Sequence, residues 1–92
     1  VKVYWSSLAK RNFKNIIDYL FLEWSVHEVE KFEEDVSDLI SKIIENPLIC
    51  PESRIFELRK CLINKINSLI YIIEGEVIYI VTIVDNRSSH IY

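Results

Sequence analysis

Apolar residues recur at helical spacing along the first half of the chain and at strand spacing along the second. Val1–Trp5 alternates and is rich in β-branched and aromatic residues, which predicts a short strand. Ser6 and Ser7 then offer an N-cap. Ala9, Phe13, Ile16, Ile17, Leu20 and Phe21 follow at intervals of three and four, predicting an amphipathic helix from about Ser7 to Glu23. Trp24-Ser25 breaks it. Ser25 and Glu28 have the spacing of a capping box, in which the hydroxyl accepts from one backbone N–H and the carboxylate reaches back to another. Val29, Phe32, Val36, Leu39, Ile40, Ile43 and Ile44 form one stripe of a second helix, stopped by Asn46-Pro47. The acidic residues Glu28, Glu30, Glu33, Glu34 and Asp35 load its first half, where the helix dipole favours negative charge. So short a link folds the two helices back as an antiparallel hairpin.

Beyond a loop at Leu48–Ser53 the period changes to two. Arg54–Ile63, Ser68–Ile73 and Val77–Val84 read as strands, joined by turns at Asn64–Asn67 and at Glu74-Gly75-Glu76, where the only glycine supplies a positive φ. Asp85–Tyr92 reads as a polar tail. The expected architecture is one α+β domain over residues 1–92, in the order β-α-α-β-β-β, with an antiparallel sheet packed on one face by the helical hairpin.

The last two strands lack the alternation of a sheet with one wet face. Leu69, Tyr71 and Ile73 point one way and Ile70 and Ile72 the other. Likewise Val77, Tyr79, Val81 and Ile83 oppose Ile78, Ile80 and Val84. One helical hairpin covers one face. The other would expose an apolar patch on the order of several hundred Å², the mark of an interaction surface. The tail is short and polar, so a separate protein partner is the expected cover, with Ile70, Ile72, Ile78 and Ile80 as its apolar contacts.

Composition narrows the function. Half of the 92 residues are hydrophobic, enough for a core, and the net charge of −3 argues against a protein built mainly to grip a phosphate backbone. Cys50 and Cys61 are the only cysteines. They have no metal-ligand spacing and are expected as two reduced thiols, one in a loop and one in a strand, in a cytoplasmic protein. No metal or other cofactor is implied. Neither a signal peptide nor a membrane helix is expected, because Lys2, Lys10 and Arg11 flank no long apolar run and a stretch such as Leu69–Ile73, which no other run exceeds, is far below the ~20 residues a span requires. The chain opens on Val1 rather than Met, consistent with residues missing before it.

Three segments carry a family resemblance: Arg59-Lys60-Cys61-Leu62-Ile63-Asn64-Lys65, then Ser68-Leu69-Ile70-Tyr71, then Ile83-Val84-Asp85-Asn86-Arg87. Their order and spacing resemble the C-terminal half of RelE/ParE-family toxins. The opening Val3-Tyr4-Trp5-Ser6 with Ala9, and the helix end Glu45-Asn46-Pro47, are similar to that family as well. The resemblance implies the toxin of a bacterial type II toxin–antitoxin pair, wrapped by a cognate antitoxin and forming a homodimer or a heterotetramer with it. ParE-like relatives inhibit DNA gyrase and cut nothing; RelE-like relatives cut mRNA, mostly on the ribosome.

Metal-free RNA cleavage needs a base for the 2′-hydroxyl, cations for the developing charge and an acid for the leaving oxygen. By position the resemblance offers Arg59 and Arg87 as cations, His90 as acid or base, and Tyr92 as a stacking or proton-transfer group. Glu57, two residues before Arg59, is expected on the same strand face as a base or an ion-pair partner. Each has a plainer role available: Arg59 paired with Glu57 on an exposed sheet face, Arg87 tied to Asp85, His90 a solvated tail residue, His27 a surface residue of a helix turn. Relatives that cut RNA place a basic residue where this chain has Ser68, and ribosome-dependent members are strongly basic. The sequence therefore leans to a ParE-like toxin acting by protein binding, with Arg59 and Arg87 as partner anchors. An endoribonuclease is the second reading, and a non-toxic family member serving as a binding module the third.

Overall fold

A computed structural model describes residues 1–92. The elements are β1 (Lys2–Trp5), α1 (Ser7–Glu23), α2 (Val26–Glu45), β2 (Leu58–Leu62), β3 (Asn67–Glu74) and β4 (Val77–Asp85). Both helices start where the capping residues set them. The Ser6 hydroxyl accepts from the Ala9 amide at 2.9 Å, and the Ser25 hydroxyl accepts from the Glu28 amide at 3.3 Å. No helix is long and apolar enough to cross a membrane.

The sheet order is β1-β4-β3-β2. β2–β3 and β3–β4 are antiparallel, but β1 pairs parallel with β4, Lys2 opposite Val77 and Trp5 opposite Ile80. The sheet is therefore mixed, because the helical hairpin returns the chain to β2 at the far edge and the last strand comes home beside the first. A bulge between Ile70 and Tyr71 leaves Val81 without a partner. Its carbonyl accepts the Ser6 hydroxyl at 2.6 Å, which ties the start of α1 to the middle of β4.

β2 is shorter than the alternation of Arg54–Ile63 suggests. The Ser53 hydroxyl accepts from the Ile55 amide, and Glu57 adopts a positive φ of 70°, so residues 53–57 turn instead of extending. Glu57 is exposed and outside the strand; it does not share a strand face with Arg59. The loop before the turn instead lies along the edge of β2. Glu52 bridges Arg59, and the Lys60 amide donates to the Pro51 carbonyl.

The core unites Ala9, Ile43, Cys61, Leu69, Tyr71, Ile78 and Ile80 under the helices. Two expectations change here. Ile73 pairs with Ile78 and Tyr71 with Ile80, so Ile78 and Ile80 lie on the helix-covered face rather than beside Ile70 and Ile72. Cys50 and Cys61 are a disulfide with Cα atoms 5.4 Å apart, not two separate thiols, because the loop after α2 folds back over the buried face of β2.

Candidate functional site

A groove of about 860 Å³ opens beneath the distal half of the helical hairpin. α1 supplies Asn12, Ile16, Tyr19 and Leu20; α2 supplies Glu28, Lys31, Phe32 and Asp35. The β2–β3 turn brings Asn64–Asn67, and the end of β4 brings Ile83, Asp85 and Arg87. The groove lies between the outer half of the hairpin and the end of the sheet formed by Asn67 of β3 and Ile83 and Asp85 of β4. Ile16, Leu20, Phe32, Ile66 and Ile83 make its lining apolar.

Its charges are largely satisfied within the chain. Arg87 clasps Asp85 through Nε at 3.1 Å and Nη2 at 2.8 Å, and Lys31 meets Asp35 at 3.2 Å. The Arg87 side chain, then its backbone amide, hold the Asp85 carboxyl down to about 2, and the carboxylate in turn raises the Arg87 guanidinium. Asn12 is occupied too, donating to the Thr82 hydroxyl at 2.9 Å. Glu28 and Lys65 stand outside these pairs, and a groove with apolar walls and most of its charges paired internally suits an apolar side of a peptide segment better than a free anion.

Arg59 stands elsewhere. Strand parity sets it on the same face as Cys61, Leu69 and Tyr71, on the helix side, where Nη1 donates to the Cys50 carbonyl at 2.6 Å. It holds the loop and is not on an exposed sheet face. Tyr71, fully buried, donates its hydroxyl to the Pro47 carbonyl at 2.5 Å. Burial raises its phenol above the usual value, an effect that the Cys50 backbone and the charge of Arg59 partly offset.

The tail returns over the opposite face. Tyr92 shares a hollow of about 380 Å³ with Lys60, Leu62 and Ser68, which surround Ile70 on the outer side of the sheet. Ile70 is fully buried without belonging to the helix-side core. Ser68, the residue in place of a family cation, donates to Asn86 Oδ1 at 2.6 Å and fastens the root of the tail. The His90 ring lies 6.1 Å from that of Tyr92, and its Nδ1 is enclosed without a partner.

The predicted cleavage residues thus occupy separate places: Arg59 among the loop carbonyls, Arg87 at the mouth of the groove, and His90 with Tyr92 on the tail. Sequence reasoning passed over Lys60, which parity puts on the outer face beside Tyr92; its place directly after Arg59 was the available signal. No three His, Cys, Asp or Glu side chains converge as metal ligands.

A family model described as the ParE toxin of type II toxin-antitoxin system, parDE, matches residues 3–89. The fold is similar to that of a solved structure of the chromosomal ParDE toxin–antitoxin system from P. aeruginosa. The two superpose with a TM-score of 0.78 at 17% identity over 92% of this chain and 95% of that one. It is also similar to the YoeB dimer from Staphylococcus aureus, with a TM-score of 0.64 at 16% identity over 89% and 92% of the two chains. No curated protein sequence gives a significant match.

Proposed function

The chain belongs to the ParE toxin family of type II toxin–antitoxin systems, and from that membership we propose that it arrests growth by gripping a protein target, DNA gyrase being the expected one, and that a cognate antitoxin neutralises it by filling the groove under the helical hairpin. The observation that carries the reading is the groove itself: roomy, walled by the apolar side chains of Ile16, Leu20, Phe32, Ile66 and Ile83, and bordered by two internal ion pairs, with Glu28 and Lys65 the charges left outside them. Burying Ile16, Leu20 and Ile66 against the apolar side of an antitoxin segment would supply the affinity. The gyrase and the antitoxin would both be met in the cytoplasm.

Purified chain is expected to inhibit gyrase supercoiling and to leave mRNA intact with or without ribosomes. Antitoxin added in equal amount restores supercoiling. Ile66→Asp, which sets a charge on the groove wall, weakens antitoxin binding by about tenfold or more. Unchanged affinity would move the antitoxin elsewhere.

The second reading is RNA cleavage, supported by the hollow where Lys60, Ser68 and Tyr92 meet near an enclosed imidazole nitrogen. Appearance of discrete mRNA fragments that vanish with Lys60→Ala and His90→Ala would establish it in place of the first. A wild-type chain that neither arrests growth nor does either reaction is the non-toxic binding module.

A further inference from the structure

Groove, hollow and disulfide leave one feature unused: the far end of the helical hairpin. Tyr19, Phe21, Leu22, Trp24 and Val26 are 57%, 60%, 77%, 67% and 56% exposed, a density of open apolar side chains found nowhere else in the chain. They are not one amphipathic stripe. Two residues along a helix turn the direction by about 200°, so Phe21 leaves α1 on roughly the opposite side from Tyr19. Tyr19 and Trp24 also line the groove; Phe21, Leu22 and Val26 do not. Packing against the chain's own sheet therefore does not account for the tip.

The charges around it are mainly acidic, with Lys65, which lines the groove beside Tyr19 and Trp24, as the one cation there outside an ion pair. No Lys or Arg lies between Lys14 and Lys31. Those two lysines are tied to Asp18 and Asp35 at 2.8 and 3.2 Å, and Arg87, the cation beside Tyr19, is tied to Asp85. Glu23, Glu28 and Glu30 have no counter-charge in the chain. An aromatic and aliphatic centre with an uncompensated acidic border has the make-up of a protein-binding hot spot. The border selects the occupant. A second copy laid on it two-fold would bring like charges together, and an anionic bilayer or a nucleic acid would repel it.

We infer that the tip of the helical hairpin is the surface that grips the toxin's cellular target, through an apolar patch on that target bordered by Lys and Arg. The inference rests on the toxin reading above. Tyr19 and Trp24 belong to both tip and groove, so an antitoxin seated in the groove takes two anchors from the target, and the two partners exclude each other.

The test expresses the full-length chain from an inducible promoter, at matched levels, and scores growth arrest; the same purified proteins are titrated with purified antitoxin. Phe21→Gln with Leu22→Gln replaces two exposed side chains outside the groove with good helix formers. Arrest potency is expected to fall about thirtyfold or more, with antitoxin affinity within about threefold of wild type and an unchanged melting temperature. Glu23→Lys with Glu30→Lys reverses the border and is expected to lower potency by about three- to tenfold while sparing antitoxin binding. If the wild type arrests growth and the glutamine pair arrests it equally well, the tip is not the target surface and the toxin reading stands. If arrest and antitoxin binding are lost together, tip and groove are one antitoxin site and the inference is overturned. If the wild type itself fails to arrest growth, the toxin reading falls and takes this inference with it.

Discussion

The two faces of the sheet are equally apolar in sequence and are covered in different ways. On the helix side, Leu69, Tyr71, Ile78 and Ile80 are fully enclosed by the long helices α1 and α2 in one continuous core. On the outer side the short tail, through Tyr92, and the loop at Pro51–Arg54 border a hollow above Lys60, Leu62 and Ser68. Ile70 is fully buried there, while Leu62 is 70%, Tyr4 47% and Tyr79 39% exposed. Tyr4 and Tyr79 cover part of each other by stacking 5.7 Å apart. A run of apolar strand residues thus states that a face needs shelter, while the segments that the fold brings over it decide how much shelter it gets.

Core truncation should show the largest contrast. Leu69→Ala is expected to destabilise by about 3 kcal/mol, because rigid helices cannot close the cavity, and Ile70→Ala by about 2 kcal/mol, because the tail can settle into the space. Urea unfolding measures both; an Ile70 cost equal to or above that of Leu69 would erase the distinction. Reduction of Cys50–Cys61 acts on the helix side alone. The short closed loop predicts a loss of about 2–3 kcal/mol, read as a lower unfolding midpoint with a dithiol present. An unchanged midpoint would mean that the hydrogen bonds from Arg59, Lys60 and Tyr71 already fix the loop.

Removing Ser88–Tyr92 uncovers Ile70 and should cost about 1–2 kcal/mol, with new binding of a hydrophobic dye to the outer face. Intact stability and no dye signal would show that the tail does not shelter that residue. The smallest effect concerns Asp85. Its folded-state carboxyl lies at about 2, below the ordinary 3.8, so the Arg87 pair contributes stability above about pH 4 that is lost as pH falls through about 2. Solvent screens the pair, and the slope should shrink in high salt. Asp85→Asn should flatten that part of the pH profile; an unaltered slope would assign it to other carboxylates.

Much of this fold is legible in the chain because local rules agree. The Ser25 hydroxyl, accepting from the Glu28 amide, fixes the start of α2 without the reciprocal bond from the Glu28 carboxylate, and Asn46-Pro47 fixes its end. The turn at Gly75 takes its positive φ of 61° where the sequence puts the only glycine. The misreadings share a cause: they depend on contacts between distant segments. Alternation through Arg54–Leu58 looks like strand, yet the Ser53 side chain captures the backbone first. Parity correctly groups Arg59 with Cys61 but cannot say which of the two groups the helices choose. Nor can spacing reveal that the loop holding Cys50 folds over β2, or that β1 joins β4 in parallel. The candidate site was legible only as residue types. Arg59, Arg87, His90 and Tyr92 are named from residue type and order alone, and their separation follows from which face and which end of the sheet each reaches.

The parallel pairing of β1 with β4 has a consequence for synthesis. The second residue of the chain waits for Val77 before it gains a neighbour, and β3 gains its inner neighbour from that same late segment. Loops so long are slow to close, and no portion ending before β4 holds a complete sheet. The toxin therefore comes into being all at once, after nearly all of these residues have left the ribosome. Fragments ending at Glu74 should be digested readily by protease and bind no antitoxin, whereas a chain carrying residues 1–92 resists; resistance of the shorter fragment would show that the sheet can be built without its centre.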